Sequence, residues 1–516
     1  MNIIHGDCLE ELKKLEDNSV DAVVCDPPYG LSNTKPQQVA DVLKAWVTGD
    51  TVSVPAKRGG FMGADWDSFV PPPAVWEECM RVLKPGGHMA VFAGARTQDL
   101  MGLSIRLAGF EIRDTLGWIY GSGMPKSLDV SKAIDKKRDD YPAIREVVMF
   151  IREAVAASTV DRSRLDEALG GSAVMAHFLA PSRSNAGCPN WDQWQTLKSI
   201  LHFGDDMDAE VWRLNGRKGT PGEAWEKREV TGVYEQPNGV NEWAGNYMGT
   251  KKAGIKERRD IPATSEAQRW DGWGTALKPA IEPIILARKP LDGTVANNVL
   301  AHGVGGLNID ACRVGMSDAD REAAKVPQPV QHNDGRAVYQ MGTGEGRNGA
   351  TFEPAPAGRF PANVLLDEHA AKEMDKQSGV LKSGGGNKGG RAPTSWFTSN
   401  SPDVDYVRDP DSGGASRFFP VFKYQAKAPK RERPVIERED GTKIQHNTVK
   451  PLALMEWLVS LIVPPGGVVL DPFAGSGTTL QAALNKGFTP IGIEQDADYI
   501  KLIEKRLEGL CTTHKN

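Results

Sequence analysis

Two short segments carry residue types and spacings that point to chemistry. The first is Asp26-Pro27-Pro28-Tyr29, directly after the apolar run Val20–Cys25. Asp26 is a hydrogen-bond acceptor. The two prolines fix φ and remove two backbone donors, so the carbonyls beside them accept without a competing N–H. Tyr29 adds a flat face for stacking. Acceptors beside a ring suit an amino-bearing base. An exocyclic amine is a poor nucleophile because its lone pair is delocalised into the ring. Two acceptors on its N–H bonds, Asp26 and the Pro27 carbonyl, would draw the nitrogen toward sp³ and concentrate the pair. In-line attack on an electrophilic methyl then depends mostly on positioning, and Asp26, or water behind it, takes the surplus proton. The base must leave the duplex to reach such a loop, so Tyr29 would stack on a flipped nucleotide. The bland alternative is a Pro-rich turn with no role. Its position disfavours that, since reactive loops of open α/β sheets lie beyond the carboxyl ends of strands.

The second segment is Leu470-Asp471-Pro472-Phe473-Ala474-Gly475-Ser476-Gly477-Thr478-Thr479, between a strand and a helix in the hydrophobic pattern. Glycines there let the backbone approach a ligand closely. Glu494 follows about 20 residues on, at the end of the next strand, where a Rossmann-type unit places the carboxylate that accepts from ribose hydroxyls. A phosphate-binding P-loop is disfavoured because Thr478 stands where its lysine belongs. A lysine-free glycine loop beginning with Asp suits a positively charged cofactor better than a triphosphate. Asp7, in Gly6-Asp7-Cys8, is a third acid at a loop–helix junction, and by itself reads as an N-cap.

The elements that must position these residues are legible at both ends of the chain. Cys8–Leu15 reads as a helix and Val20–Cys25 as a buried parallel strand. Helical spacing over Val75–Leu83 is broken by Lys84-Pro85-Gly86-Gly87, followed by a strand over His88–Phe92 and a helix over Leu100–Ala108. Near the C-terminus, Leu452–Ile462 reads as a helix, Val468–Leu470 as a strand and Thr478–Lys486 as a helix closed by Gly487. A strand over Thr489–Ile493 and a helix over Tyr499–Leu507 complete the pattern. Between the ends, residues 130–230 are polar and helix-rich, and residues 315–420 are dense in Gly, Pro, Ser and Asn, a composition that suggests mobile loops.

The 516 residues suffice for two or three domains and a large core. A net charge of −5 excludes a strongly basic coating protein but leaves room for a basic cleft. No apolar run approaches the ~20 residues of a membrane span, and the start lacks the pattern of a signal peptide, so a cytoplasmic location is expected. The cysteines at 8, 25, 79, 188, 312 and 511 form no CxxC pair and have no histidine at zinc-ligand spacing. Neither a metal nor a disulfide is expected.

With both segments in hand, the sequence resembles the DNA amino-methyltransferases, the adenine-N6 and cytosine-N4 enzymes. Asp26-Pro27-Pro28-Tyr29 is similar to their motif IV. Asp471–Thr479 is similar to motif I, which implies cofactor contacts from Asp471, Phe473, Gly475, Gly477 and Thr478. Glu494 corresponds to the ribose-binding acid of motif II. Asp7, with Cys8 beside it, corresponds to the motif III aspartate that contacts the cofactor adenine. His446-Asn447-Thr448-Val449-Lys450-Pro451 resembles motif X, which implies that Thr448, Lys450 and Pro451 lie against the methionine part of the cofactor. The implied cofactor is S-adenosyl-L-methionine, and the implied partner is double-stranded DNA.

The catalytic loop precedes the cofactor loop by more than 400 residues, an order that resembles the β group, often dimers; no interface signature decides for or against a homodimer. It implies a Rossmann-like α/β fold, a mostly parallel sheet assembled from both chain ends, with an inserted helical recognition region. The expected division is 1–130 for the catalytic half, 131–270 for the helical insert, 271–310 for a return to the methyltransferase domain, 311–420 for a flexible Gly/Pro-rich region and 421–516 for the cofactor half. Lys278–Pro283 and Asn308–Asp310 are similar to phage- and prophage-type members. Asp at the head of the loop favours adenine N6, whereas cytosine-N4 enzymes more often begin it with Ser. A carboxylate and a hydroxyl both accept from an amine, so the chemistry leaves both open. Related loops headed by Asn methylate amides or amines on RNA or protein, and an inactive DNA-binding protein on the same fold is the alternative outside enzymes. The resemblance to restriction-modification enzymes brings no nuclease or ATPase motif on this chain.

Two segments could read DNA. Arg164–Leu169, Gly170-Gly171 and Ser172–Leu179 have the outline of a helix-turn-helix, with Ser172 and His177 as polar contacts, or of an ordinary helical hairpin. Lys423, Lys427, Lys430, Arg431 and Arg433 form a basic run around Phe422 and Tyr424, suited to phosphates or to a solvated linker.

Overall fold

The computed structural model describes residues 1–32, 34–55, 65–121, 123, 127–171, 173–180, 187–217, 220–235, 256–316, 326–327, 351–352, 358–382, 412–422, 432–438, 440–446 and 448–508. It divides into two compact units, Met1–Gly123 with Pro279–Asn516, and Met124–Lys278.

The first unit is built on nine strands: β1 (Asn2–His5), β2 (Val20–Cys25), β3 (Leu83–Phe92), β4 (Glu111–Ile119), β5 (Ile281–Arg288), β6 (Val364–Asp367), β7 (Val421–Phe422), β8 (Val468–Asp471) and β9 (Thr489–Glu494). Their spatial order is β1-β9-β8-β2-β3-β5-β4-β6-β7. All neighbours run parallel except β5, which is antiparallel to β3 and β4. This is the Rossmann-like α/β architecture expected from the sequence, and both chain ends enter one sheet. The C-terminal strands β9 and β8 lie between the N-terminal strands β1 and β2, with Ile4 opposite Ile493 and Leu470 opposite Val23.

Strand β2 shows why its sequence is an unbroken apolar run. Val23 and Cys25 pack on one face, with Trp76, Met101 and Ile105 of flanking helices. Ala22 and Val24 pack on the other, with Leu454, Leu458 and Ala482. Successive side chains point to opposite faces, and both faces are covered, so alternation disappears. The exception is Asp21. It is buried, pairs with Lys84 at 2.6 Å and accepts the Val468 amide at 2.7 Å, which ties β2 to the start of β8.

Lys84-Pro85-Gly86-Gly87, read as a break, is taken into β3. Residues 311–420 contribute more than loop: β6, the helix Glu368–Ser378 and the lead into β7. Strands of four and two residues carry too few side chains for a period to show, and it is pairing along β4 and β6 that defines them.

The second unit is helical around its own core. Helices Tyr141–Ala157, Arg162–Ala168, Trp191–Leu201 and Asp208–Gly216 bring together Ile151, Leu165, Trp194, Leu197 and Val211. Arg228 is buried there, bonded to Asp135 and Asp260 at 2.5 and 2.8 Å. The helix-turn-helix outline does not form a recognition helix. After Gly170, at φ 83°, comes only the four-residue helix Met175–Phe178, and Met175 and Phe178 are buried in the core. His177 is exposed, and Ser172 lies outside the described residues. Of the basic run, only Arg433 lies within the described residues. Among the described residues no helix is long and apolar enough to cross a membrane.

Candidate active site

The carboxyl ends of β1, β9, β8 and β2 bring the expected residues to one edge of the sheet. Asp26 follows β2. Its Oδ2 accepts from Lys450 Nζ at 2.8 Å, while its Oδ1 is buried with no hydrogen-bond partner among the described residues. Tyr29 is half-buried, and its hydroxyl lies 3.0 Å from Lys450 Nζ and 3.2 Å from Glu282 Oε2. Burial and the charges of Asp26 and Glu282 hold the phenol well above its usual range, so it stays protonated. Pro27 is buried and Pro28 half-buried, between these two side chains in the chain.

The loop is held from behind. Asp67, itself buried, accepts the backbone amides of Tyr29 and Gly30 at 2.7 and 2.9 Å and of Leu31 at 3.4 Å, and the Thr97 hydroxyl donates to the Tyr29 carbonyl at 2.5 Å. A carboxylate on several backbone amides is a strong clamp, because each bond is charge-assisted.

The second loop is a turn between β8 and the helix Thr478–Asn485. Gly475 and Gly477 have φ of 54° and 78°, the left-handed region that glycine enters without strain. A Cβ on Gly475 would lie 3.0 Å from Nε2 of His446, so the backbone passes close beneath that ring. Gly477 caps the helix and Thr478 is its first residue. Phe473 packs on Trp76, with ring centroids 6.1 Å apart. Arg506 braces the loop by donating to the Ser476 carbonyl at 2.6 Å. Glu494 accepts the Gly475 amide at 2.7 Å and the Asp496 amide at 2.9 Å, and burial raises its carboxyl. Gly6 donates to the Glu494 carbonyl at 3.0 Å, which brings Asp7 and Cys8 to the same edge. Asp7 is exposed and caps the helix Cys8–Leu12 through Oδ1. Burial, then the Asp7 charge, push the Cys8 thiol up to about 12.

The expected motif X residues divide. Thr448 is exposed, and its amide donates to His446 Nδ1 at 3.3 Å. Burial, then the Lys450 charge, lower the His446 imidazole to about 4, so the ring is neutral. Pro451 precedes the helix Leu452–Ile462. Lys450 is buried and reaches the Asp26 loop, with Asp26 and Glu282 around its ammonium. Burial alone would lower its pKa, but the two carboxylates outweigh that and raise it. Glu282 and Asp67 are the site residues that the sequence reading did not assign. Glu282 lies in the Lys278–Pro283 segment and carries the available signal, a carboxylate near the start of the apolar run Ile281–Ala287.

The carboxylates converge around Asp471. Its carboxyl accepts from the Thr479 side chain and, at 3.0 Å, from the Phe473 amide, yet burial and the Asp26 and Glu494 charges push it up to about 7. In the unfolded chain an aspartate titrates near 4. The folded protein therefore holds a proton between roughly pH 4 and 7 that the unfolded chain has released. Stability falls as pH rises through that window, by at most about 4 kcal/mol, and the loss is complete above it. Asp471→Asn removes this contribution. Urea unfolding at pH 4.5 and 7.5 checks it: the wild type should lose stability relative to the variant at the higher pH, and parallel changes would contradict the assignment. A buried group that ionises only with difficulty, beside two more acids, is well matched to a cationic ligand.

The fold and this edge together define an α/β protein with a glycine turn and several acids beside an acceptor loop. The family model described as DNA methylase, covering N6 and N4 enzymes, matches residues 20–154 and 250–505, and the chain belongs to that family. It is similar to the DNA adenine methyltransferase YhdJ of Escherichia coli K12, 46% identical over 63 residues, 12% of this chain and 21% of the relative. It is also similar to the type II methyltransferase M.HinfI of Haemophilus influenzae, 44% identical over 75 residues, 14% of this chain and 21% of the relative. The chain thus spans about a fifth of the length of these two relatives. A solved structure of the PvuII cytosine-N4-specific DNA methyltransferase aligns over 98% of this chain and 85% of that one, at 11% identity and a TM-score of 0.32.

Proposed function

We propose that the protein is an S-adenosyl-L-methionine-dependent DNA methyltransferase that modifies the N6 amine of adenine at a specific sequence in double-stranded DNA. The observation that carries this reading is Asp26 Oδ1, a buried carboxylate oxygen with no partner among the described residues.

The residues present fit the cofactor. Gly475 and Gly477 form the left-handed turn between strand and helix, and Asp26 and Glu494 supply negative charge beside it, with Asp471 between them. Glu494 keeps lone pairs for ribose hydroxyls beyond the amides it already accepts, and Asp7 keeps Oδ2 for an adenine amine. Bound there, the cofactor supplies an electrophilic methyl group on a positively charged sulfur.

The remaining chemistry belongs to the chain. A flipped base presents its exocyclic amine to Asp26 Oδ1 and the Pro27 carbonyl, which concentrate the nitrogen lone pair. Lys450 occupies Oδ2, so the carboxylate meets the amine through one defined oxygen. After transfer, Asp26 or water behind it takes the surplus proton. Asp67 and Thr97 keep the loop from shifting, and small displacements are costly where catalysis rests on alignment. Tyr29 offers its ring to the base while its hydroxyl is held by Lys450 and Glu282.

Adenine is favoured over cytosine by Asp at the head of the loop, in keeping with the adenine specificity in the name of YhdJ. The test is to incubate the protein with mixed-sequence DNA and methyl-labelled cofactor, digest to nucleosides and identify the labelled species. N6-methyladenine is the expected product. N4-methylcytosine would replace the base assignment, and no labelled nucleoside with cofactor bound would sink both and favour an inactive DNA-binding protein.

A further inference from the structure

Glu282 is the second residue of β5, the antiparallel strand, and so enters the site from the direction opposite to its parallel neighbours. Its Oε2 lies 3.1 Å from Lys450 Nζ and 3.2 Å from the Tyr29 hydroxyl. An ammonium has three donors. Asp26 Oδ2, the Tyr29 oxygen and Glu282 Oε2, at 2.8, 3.0 and 3.1 Å, match that number. The charges are as informative as the bonds. Asp26 with Lys450 alone is neutral, whereas Asp26, Lys450 and Glu282 together carry a formal charge of −1. The side chains are 20%, 10% and 26% exposed, so water screens this charge only in part.

A lysine beside the catalytic carboxylate is a liability for a cationic cofactor. Whatever methyl donor serves an amine at Asp26 must bring its positive sulfur toward this cluster, and the Lys450 ammonium opposes it. The demethylated product lacks that positive charge, so it escapes the repulsion and would compete for the site.

We propose that Glu282 is a positioning residue that offsets Lys450 and leaves the Asp26 cluster with a net negative charge, so that the site prefers cationic S-adenosylmethionine over its neutral product S-adenosylhomocysteine. This rests on the methyltransferase reading above. The same contact holds all three Lys450 donors in place, which commits Asp26 Oδ2 and leaves Oδ1 for the amine.

The test is calorimetric binding of both compounds to the full chain without DNA, for the wild type and for Glu282→Gln. Glutamine keeps the size of the side chain and an acceptor for Lys450, and removes only the charge. S-adenosylmethionine should bind about tenfold more weakly to the variant, the scale of one unit charge acting over about 12 Å at an effective dielectric of about 20. S-adenosylhomocysteine should change less than about twofold, being neutral at sulfur. A purely structural role would weaken both equally, and that result, or no change in either, overturns the proposal. Lys450→Met provides an independent check should Glu282→Gln fail to fold. It makes the cluster more negative, so the preference for the cation should rise, and a fall would count against the proposal. Wild-type protein that binds neither compound would overturn the methyltransferase reading as well, which separates the two failures.

Discussion

Asp26→Asn should lower the single-turnover rate of methyl transfer by roughly 10³-fold, the combined scale of a lost acceptor and a lost proton-taking group. The variant is close to isosteric, so the loop should keep its shape through Asp67 and Thr97. What changes is the group facing the amine: a charged acceptor becomes a neutral amide that can also present N–H. Lys450 at the same time loses one of its two carboxylates. Cofactor binding should weaken no more than in Glu282→Gln, since each variant removes one negative charge from the cluster. Rapid-quench measurement with DNA and saturating labelled cofactor reads the rate directly. A loss smaller than about tenfold would mean that Asp26 is not the group the amine meets.

Gly475→Val should weaken S-adenosylmethionine binding by about 100-fold, through backbone strain and displacement of the His446 ring together. The position has φ 54°, where a β-branched side chain is strained, and even a bare Cβ would lie 3.0 Å from the His446 ring. Gly487→Ala supplies the control. Its φ is 77°, but nothing lies within 4 Å of the added Cβ. It should cost about 1 kcal/mol of stability and leave cofactor affinity unchanged. If Gly475→Val bound cofactor as the wild type does, the Gly475 turn would not be part of the cofactor site.

The parts of the fold that could be read from sequence are those in which one short segment carries its own signal. Val20–Cys25 is buried on both faces and ends in a Pro-rich loop, so strand and acceptor loop are contiguous. The strand, glycine turn, helix and strand between Val468 and Glu494 likewise lie within 27 residues of each other in the chain. Lys450 is another matter. The motif X likeness points it at the methionine part of the cofactor, but its ammonium reaches Asp26, 424 residues away in sequence. No local pattern encodes that distance, because it depends on β8 lying beside β2. Glu282 is hidden for the same reason: its role follows from β5 running antiparallel between β3 and β4, and periodicity does not reveal strand direction. Asp67 carries no assignment in the sequence, where it is one of two acids beside Trp66, and only the folded chain places its carboxylate on the Tyr29 amide. In the inserted unit, the Gly170-Gly171 turn is where expected, but apolar Met175 and Phe178 are drawn into a core and leave a single helical turn.

Transfer of label into DNA tests the proposed methyl transfer at the Asp26 loop most directly. Wild-type protein, DNA and methyl-labelled S-adenosylmethionine should yield label in precipitated DNA that rises with time, survives removal of the protein and is absent with Asp26→Asn. DNA without label in the wild-type reaction, from protein that binds the cofactor, would contradict it, as would label that persists unchanged in the variant.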